Sequence, residues 1–140
     1  MKKYFVFLLI SAFLISCSKD DDTPEIDPIV GTFRISTVFG DGQEYDIDAC
    51  ADRTTIIFEE DRKGYNDIYA QNTTNSCGIT ETGILTWRKG DNIYTVNSSI
   101  GLVFGSFSTT NNGTATIKDG TLSLIVFDDG ISWELRYRKQ

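Results

Sequence analysis

Few residues in this sequence can do covalent or acid–base chemistry, and they form no catalytic pattern. There are three cysteines (Cys17, Cys50 and Cys77) and no histidine. A serine or cysteine nucleophile is ordinarily activated by an imidazole base, so Ser–His and Cys–His pairs are excluded. Two carboxylates facing one another across a bond could hydrolyse a glycoside. The adjacent acids Glu59, Glu60 and Asp61, and the pair Asp128 and Asp129, instead fall where turns and strand ends are expected. Neighbours along a strand also point to opposite faces. Gly101-Leu102-Val103-Phe104-Gly105 lacks the lysine and helix start of a phosphate loop. Asp20, Asp21 and Asp22 are consecutive, with no glycine turn to wrap them around calcium. Cys50 and Cys77 alone are too few ligands for zinc. The sequence therefore reads as a non-enzyme, with no cofactor and no metal.

The N-terminus carries a different kind of signal. Lys2 and Lys3 precede an apolar stretch, Tyr4 to Ile15, broken only by Ser11. A helix needs about 20 apolar residues to span a bilayer. This run is shorter, and residues 1–16 read as a secretory signal peptide. The stretch ends Leu14-Ile15-Ser16-Cys17, which resembles the lipobox of bacterial lipoproteins; Ile15 is less usual at its position. The resemblance implies diacylglycerol on the Cys17 sulfur, cleavage before Cys17 and acylation of the new amino group. Each buried methylene contributes ~0.8 kcal/mol and one chain alone is marginal, so several chains make a stable anchor. Residues 17–28 read as a tether: like charges in Ser18-Lys19-Asp20-Asp21-Asp22, with Pro24 and Pro28, keep it extended. A lysine and acids just after the acylated cysteine also resemble the surface-export signal of Bacteroidetes-type lipoproteins. That implies an outer-membrane, lipid-anchored, cell-surface address.

Charge and cysteine content fit an exported chain. The net charge is −7, and loss of Lys2 and Lys3 with the signal would make it more acidic. Nucleic acid is an unsuitable partner, because its recognition rests on cations against phosphate. Nor does the sequence show a basic face for anionic headgroups, so the acyl chains on Cys17 are the expected membrane contact. In an oxidising compartment Cys50 and Cys77 are expected to pair, with two buried free thiols as the alternative. A bridge closing this loop contributes roughly 3.5 kcal/mol in the chain-entropy model.

Residues 29–140 supply one folded domain, for which 40% hydrophobic residues give an adequate core. Turn signals recur at Gly40-Asp41-Gly42, Glu60 to Gly64, Lys89 to Asn92, Asn111-Asn112-Gly113, Asp119-Gly120 and Asp129-Gly130. Between them, runs rich in Thr, Ile, Val, Phe, Tyr and Trp suit a pleated, half-buried surface. The expected strands are Thr32–Phe39, Arg53–Glu59, Tyr65–Ala70, Thr82–Arg88, Asn92–Asn97, Leu102–Thr109, Thr114–Lys118, Thr121–Phe127 and Ile131–Arg138. One face of the first should hold Phe33, Ile35, Thr37 and Phe39; one face of the last should hold Trp133, Leu135 and Tyr137. A short helical turn is possible within Gln43–Asp52. Hairpin after hairpin without a long crossover predicts an all-β, antiparallel up-and-down barrel of about eight strands, closed to remove its edges.

This layout resembles the small lipocalin-like domains of bacterial lipoproteins. The residues that carry the resemblance are Ile29-Val30-Gly31-Thr32-Phe33, Thr54-Thr55-Ile56-Ile57-Phe58 with a charged turn ending in Gly64, Thr82-Gly83-Ile84-Leu85-Thr86-Trp87, and the closing Trp133–Arg138 strand. The first strand of that family usually carries Gly-x-Trp, where the Trp stacks under an Arg of the final strand. Phe33 replaces it here, with Arg136 or Arg138 as the expected partner. The resemblance implies an eight-stranded barrel and an extracytoplasmic place, and only loosely a ligand.

Two functional readings follow, both for a monomer. In the first, inward rings line a cup for a small apolar ligand; Phe33, Phe58, Trp87 and Trp133 are the candidates, with Phe104 and Phe127, and Tyr69 or Tyr94 supplies a hydroxyl. The same rings would equally fill a solid core. In the second, a surface module meets a glycan or a protein partner through exposed aromatics, for which Tyr45, Tyr65, Tyr69 and the segment Ile100 to Phe107 are candidates.

Overall fold

The computed structural model describes residues 25–102 and 111–140. Cys17, the residues expected to form the signal peptide and most of the tether, and the expected strand beyond Leu102 lie outside the described residues.

Alternating side chains and tight turns build nine strands: β1 (Gly31–Gly40), β2 (Gln43–Tyr45), β3 (Thr55–Phe58), β4 (Lys63–Gln71), β5 (Cys77–Lys89), β6 (Tyr94–Ser98), β7 (Asn112–Lys118), β8 (Thr121–Asp128) and β9 (Ile131–Lys139). All pairings are antiparallel. They run in the order β1-β3-β4-β5-β6-β7-β8-β9, and β9 returns to pair with β1. Eight strands therefore close into the expected barrel. The extra strand β2 was not expected; it folds back on the end of β1 and takes over the edge that β3 leaves. A 3₁₀ turn at Ala51–Arg53 falls at the end of the segment expected to hold a helical turn.

Three Asp-Gly pairs make three two-residue hairpins. Asp41, Asp119 and Asp129 have φ of 47°, 51° and 47°, and the glycines after them 80°, 74° and 83°. Positive φ at both central residues matches the right-handed twist of the flanking strands. Two other expected turns resolve differently. In the Glu60 to Gly64 turn the positive φ falls on Arg62, at 67°, and Gly64 lies in β4. Asn112 and Gly113 are not a turn but the start of β7, paired with Asn97 and Val96. Gly113 is needed there because a Cβ would sit 2.9 Å from both the Ile125 carbonyl and the Leu124 side chain.

The first strand departs from simple alternation. Ile35 faces Tyr137 and Thr37 faces Arg136, which leaves Ser36 as an extra residue. Such a bulge shifts the side-chain parity. Phe33 and Ile35 are buried as expected, but beyond the bulge Val38 is buried and Phe39 is not.

Inward residues of β1, β3 and β5 to β9 form one core, with Phe33, Ile35, Ile56, Phe58, Leu85, Trp87, Val96, Ala115, Leu122, Leu124, Val126, Leu135 and Tyr137 at its centre, while β4 turns Gly64 and Asn66 inward. The N-terminal segment plugs one end. Ile29 is fully buried in the core, the Lys139 ammonium donates to the Pro28 carbonyl at 3.2 Å, and Asp27 is bound by β5 and β6 side chains. The opposite end, the far rim, carries the β1–β2 turn, the start of β5 and the β8–β9 turn. The Cys50–Cys77 disulfide fastens the segment after β2 to the start of β5, with Cα atoms 5.3 Å apart.

Candidate binding surfaces

At the plugged end, four of the expected cup residues come together. Phe33 meets Phe58 edge-to-face with centroids 6.1 Å apart, Phe58 meets Trp87 at 6.5 Å, and Trp87 meets Tyr94 at 5.9 Å. The three contacts are edge-to-face, a favoured aromatic geometry that sets a positive ring edge against a negative face. All four are buried. Their polar atoms are engaged as well. The Trp87 indole N–H donates to the Glu59 carbonyl at 3.1 Å. The Tyr94 hydroxyl donates to Asp27 Oδ1 at 2.6 Å, and Lys89 donates to Asp27 Oδ2 at 2.8 Å. Burial and the Asp27 carboxylate together push the Tyr94 hydroxyl up to about 12. For Asp27 itself burial works upward, but the hydrogen bonds from Lys89, Tyr94 and Ile29 outweigh it and hold the carboxyl below its ordinary 3.8. The cation over Phe33 is Lys139, 5.5 Å from the ring centroid, rather than Arg136 or Arg138. Arg136 sits 4.4 Å over Phe39 instead, because the Ser36 bulge turned that ring outward beside it.

Three other described cup candidates do not join this cluster. Tyr69 is half-buried on β4, just past a register break against β5 that falls between Ile68 and Tyr69. Trp133 is half-buried at the far rim, packed against Tyr45 with centroids 5.3 Å apart. Phe127 points outward and is 67% exposed.

Sequence reasoning missed the buried polar residues Thr54, Asn66, Ser98 and Asp128. The Ser98 hydroxyl donates to Asn66 Oδ1 at 3.1 Å, linking β6 to β4. The bond passes over Gly83 of β5, where a Cβ would overlap Asn66 Oδ1 and lie 2.9 Å from Ser98 Oγ. The signal available in the sequence was Gly83 itself, a glycine at an inward strand position.

The outer wall of β3 to β6 carries a second group. Ile57, Tyr65 and Ile84 are directly opposed across β3, β4 and β5, and Tyr65 and Ile84 are 42% and 61% exposed. One row nearer the plugged end, Asp61, Arg62, Lys63, Thr86, Arg88, Thr95 and Asn97 line a shallow trough of about 770 Å³. The Lys63 ammonium pairs with Asp61 at 3.2 Å. Overall acidity concealed this local basic surface. Among the described residues, no group of three or more His, Cys, Asp or Glu side chains is placed to hold a metal.

No protein-family model matches the chain, and no curated protein matches it. A solved structure of an uncharacterized protein from Bacteroides eggerthii is similar, with a TM-score of 0.49 and 14% identity over 79% of this chain and 98% of that one.

Proposed function

We propose that this protein is a non-catalytic binding module of the bacterial cell surface. Acyl chains on Cys17 hold it in the outer membrane, and it meets a glycan or protein partner through its outer wall. The observation that carries the wall rather than the interior is the ring cluster. Phe33, Phe58, Trp87 and Tyr94 pack on one another and spend their polar atoms within the chain. Rings committed in this way behave as core. Tyr65, Ile84 and Phe127, by contrast, leave large apolar area in solvent. The Cys50–Cys77 bond suits an oxidising compartment. The anchoring half is tested by expressing the full chain and Cys17→Ala in a bacterium with an outer membrane. The native chain should incorporate labelled palmitate and yield to protease on intact cells; label in Cys17→Ala, or a protected native chain, counts against it.

A second reading, a small molecule inside the barrel, draws on Thr54, Asn66 and Ser98. Buried polar groups are costly, and a ligand with a polar head would reward their burial. On that reading Asn66→Leu abolishes binding while leaving the outer wall unchanged.

A further inference from the structure

The geometry points to the trough on the β4–β5–β6 wall as a site for an acidic polysaccharide, a chain bearing uronate or sulfate groups, gripped by Arg62 and Arg88. This rests on the surface-module reading and names its ligand class. Four described cations are neutralised by carboxylates: Arg34 by Asp52, Lys63 by Asp61, Lys89 by Asp27 and Arg136 by Glu134. Among the described residues, neither Arg62 nor Arg88 has an ion-pair or side-chain hydrogen-bond partner. The fold nevertheless brings them together. The Trp87 peptide N–H donates to the Arg62 carbonyl at 3.0 Å, which draws the β3–β4 turn against the end of β5 beside Arg88. Arg62 takes its place at φ 67°, a left-handed conformation that costs an arginine more than the glycine or asparagine usual there.

The floor matches the walls. Thr86 and Asn97 are register partners, as are Arg88 and Thr95, and Lys63 faces Thr86. Among the described residues, the Thr86, Thr95 and Asn97 side chains make no hydrogen bond, so two hydroxyls and an amide remain for sugar hydroxyls. Tyr65 and Ile84 adjoin as the next outward pair along the same strands, an apolar shelf for the C–H face of a sugar ring. Planar guanidinium forks suit carboxylate and sulfate, which they bind in bidentate fashion. Attraction to an anionic membrane ordinarily uses four to eight clustered cations; here Asp61 pairs with Lys63 and two guanidiniums remain.

The test is affinity electrophoresis of the full acylated chain in non-ionic detergent, in gels cast with polygalacturonate, dextran sulfate or neutral dextran. The protein and the acidic polymers carry the same sign of charge, so retardation by them requires a local site. The expected result is retardation by an acidic polymer and not by dextran. It should weaken about tenfold or more in Arg62→Gln and in Arg88→Gln, and stay unchanged in Lys118→Gln on another wall. Matching urea midpoints would show that the variants remain folded. Retardation by dextran alone overturns the acidic assignment and leaves the surface-module reading standing. Binding to phosphatidylglycerol vesicles, lost in the Arg62→Gln/Arg88→Gln double variant, with no polymer retarding the chain, overturns the proposal in favour of a lipid headgroup. No retardation by any polymer, together with a co-purified apolar molecule, overturns both readings.

Discussion

Replacing Phe58 with alanine asks directly whether the ring cluster is core. Phe58 is 1% exposed and lies between two edge-to-face partners, Phe33 at 6.1 Å and Trp87 at 6.5 Å. Truncating a packed phenylalanine costs about 3–5 kcal/mol, from lost transfer energy and the cavity left behind. Loss of both ring contacts, each worth about 0.5–1.5 kcal/mol beyond area, places Phe58→Ala near the middle of that range, at about 4 kcal/mol. The domain is expected to hold about 5–15 kcal/mol in total. With a urea m-value near 1.5 kcal/mol/M, the midpoint should fall by roughly 2.5 M at unchanged m. Phe58→Leu keeps most of the volume and should cost about 1 kcal/mol. Urea unfolding followed by tryptophan fluorescence measures both, since Trp87 is the neighbouring ring. A fall of less than about 0.7 M for Phe58→Ala would refute the reasoning, because a ring lining an empty cup leaves no new cavity when removed.

Four further outcomes follow from the same contacts. Asp27→Ala removes the acceptor of Tyr94, Lys89 and Ile29 and should cost about 1–2 kcal/mol in urea unfolding at pH 7. Because the Asp27 carboxyl is held below 3.8 when folded, its stabilisation is complete above about pH 4 and is lost as pH falls through the folded value. Titrated acid unfolding should therefore be shallower in Asp27→Ala. Gly83→Ala pushes a Cβ into the Asn66–Ser98 hydrogen bond and should cost about 1–3 kcal/mol by thermal unfolding. Reducing the Cys50–Cys77 bond, which spans a sequence separation of 27, should lower the melting temperature by roughly 10–20 °C, read with and without dithiothreitol.

Much of the barrel was legible because its cues are local. An Asp-Gly pair carries its turn geometry wherever it occurs, and all three pairs made the hairpins expected of them. Strands with clean alternation turn one face inward: Gly83, Leu85 and Trp87 on β5, and Leu135 and Tyr137 on β9, the latter two as expected. The misreadings arose where a long-range contact decided. Asn112-Gly113 looks like a turn until β8 supplies the Ile125 carbonyl that only a glycine can approach. Nothing in the sequence around Ser36 announces that β9 will skip it, and that bulge moved Val38 inward and Phe39 outward. Phe127 reads as core by type, yet it stands between the inward Val126 and Asp128 and parity sends it out. Among the residues read as lining a cup, Phe33, Phe58, Trp87 and Tyr94 pack together at the plugged end, while Tyr69, Trp133 and Phe127 stand apart, at places that strand register and the far rim decide. The trough was invisible because Arg62 and Arg88 are distant in sequence and were lost in an acidic average.

The central claim is that the partner is met outside the barrel and that the rings within are core. It is tested most directly by the native mass spectrum of the full chain, followed by organic extraction of the same sample. The account predicts the mass of the acylated polypeptide with no further apolar component, and no quenching of Trp87 fluorescence by a panel of fatty acids. A stoichiometric apolar adduct that leaves on denaturation would contradict it and make the barrel a cup.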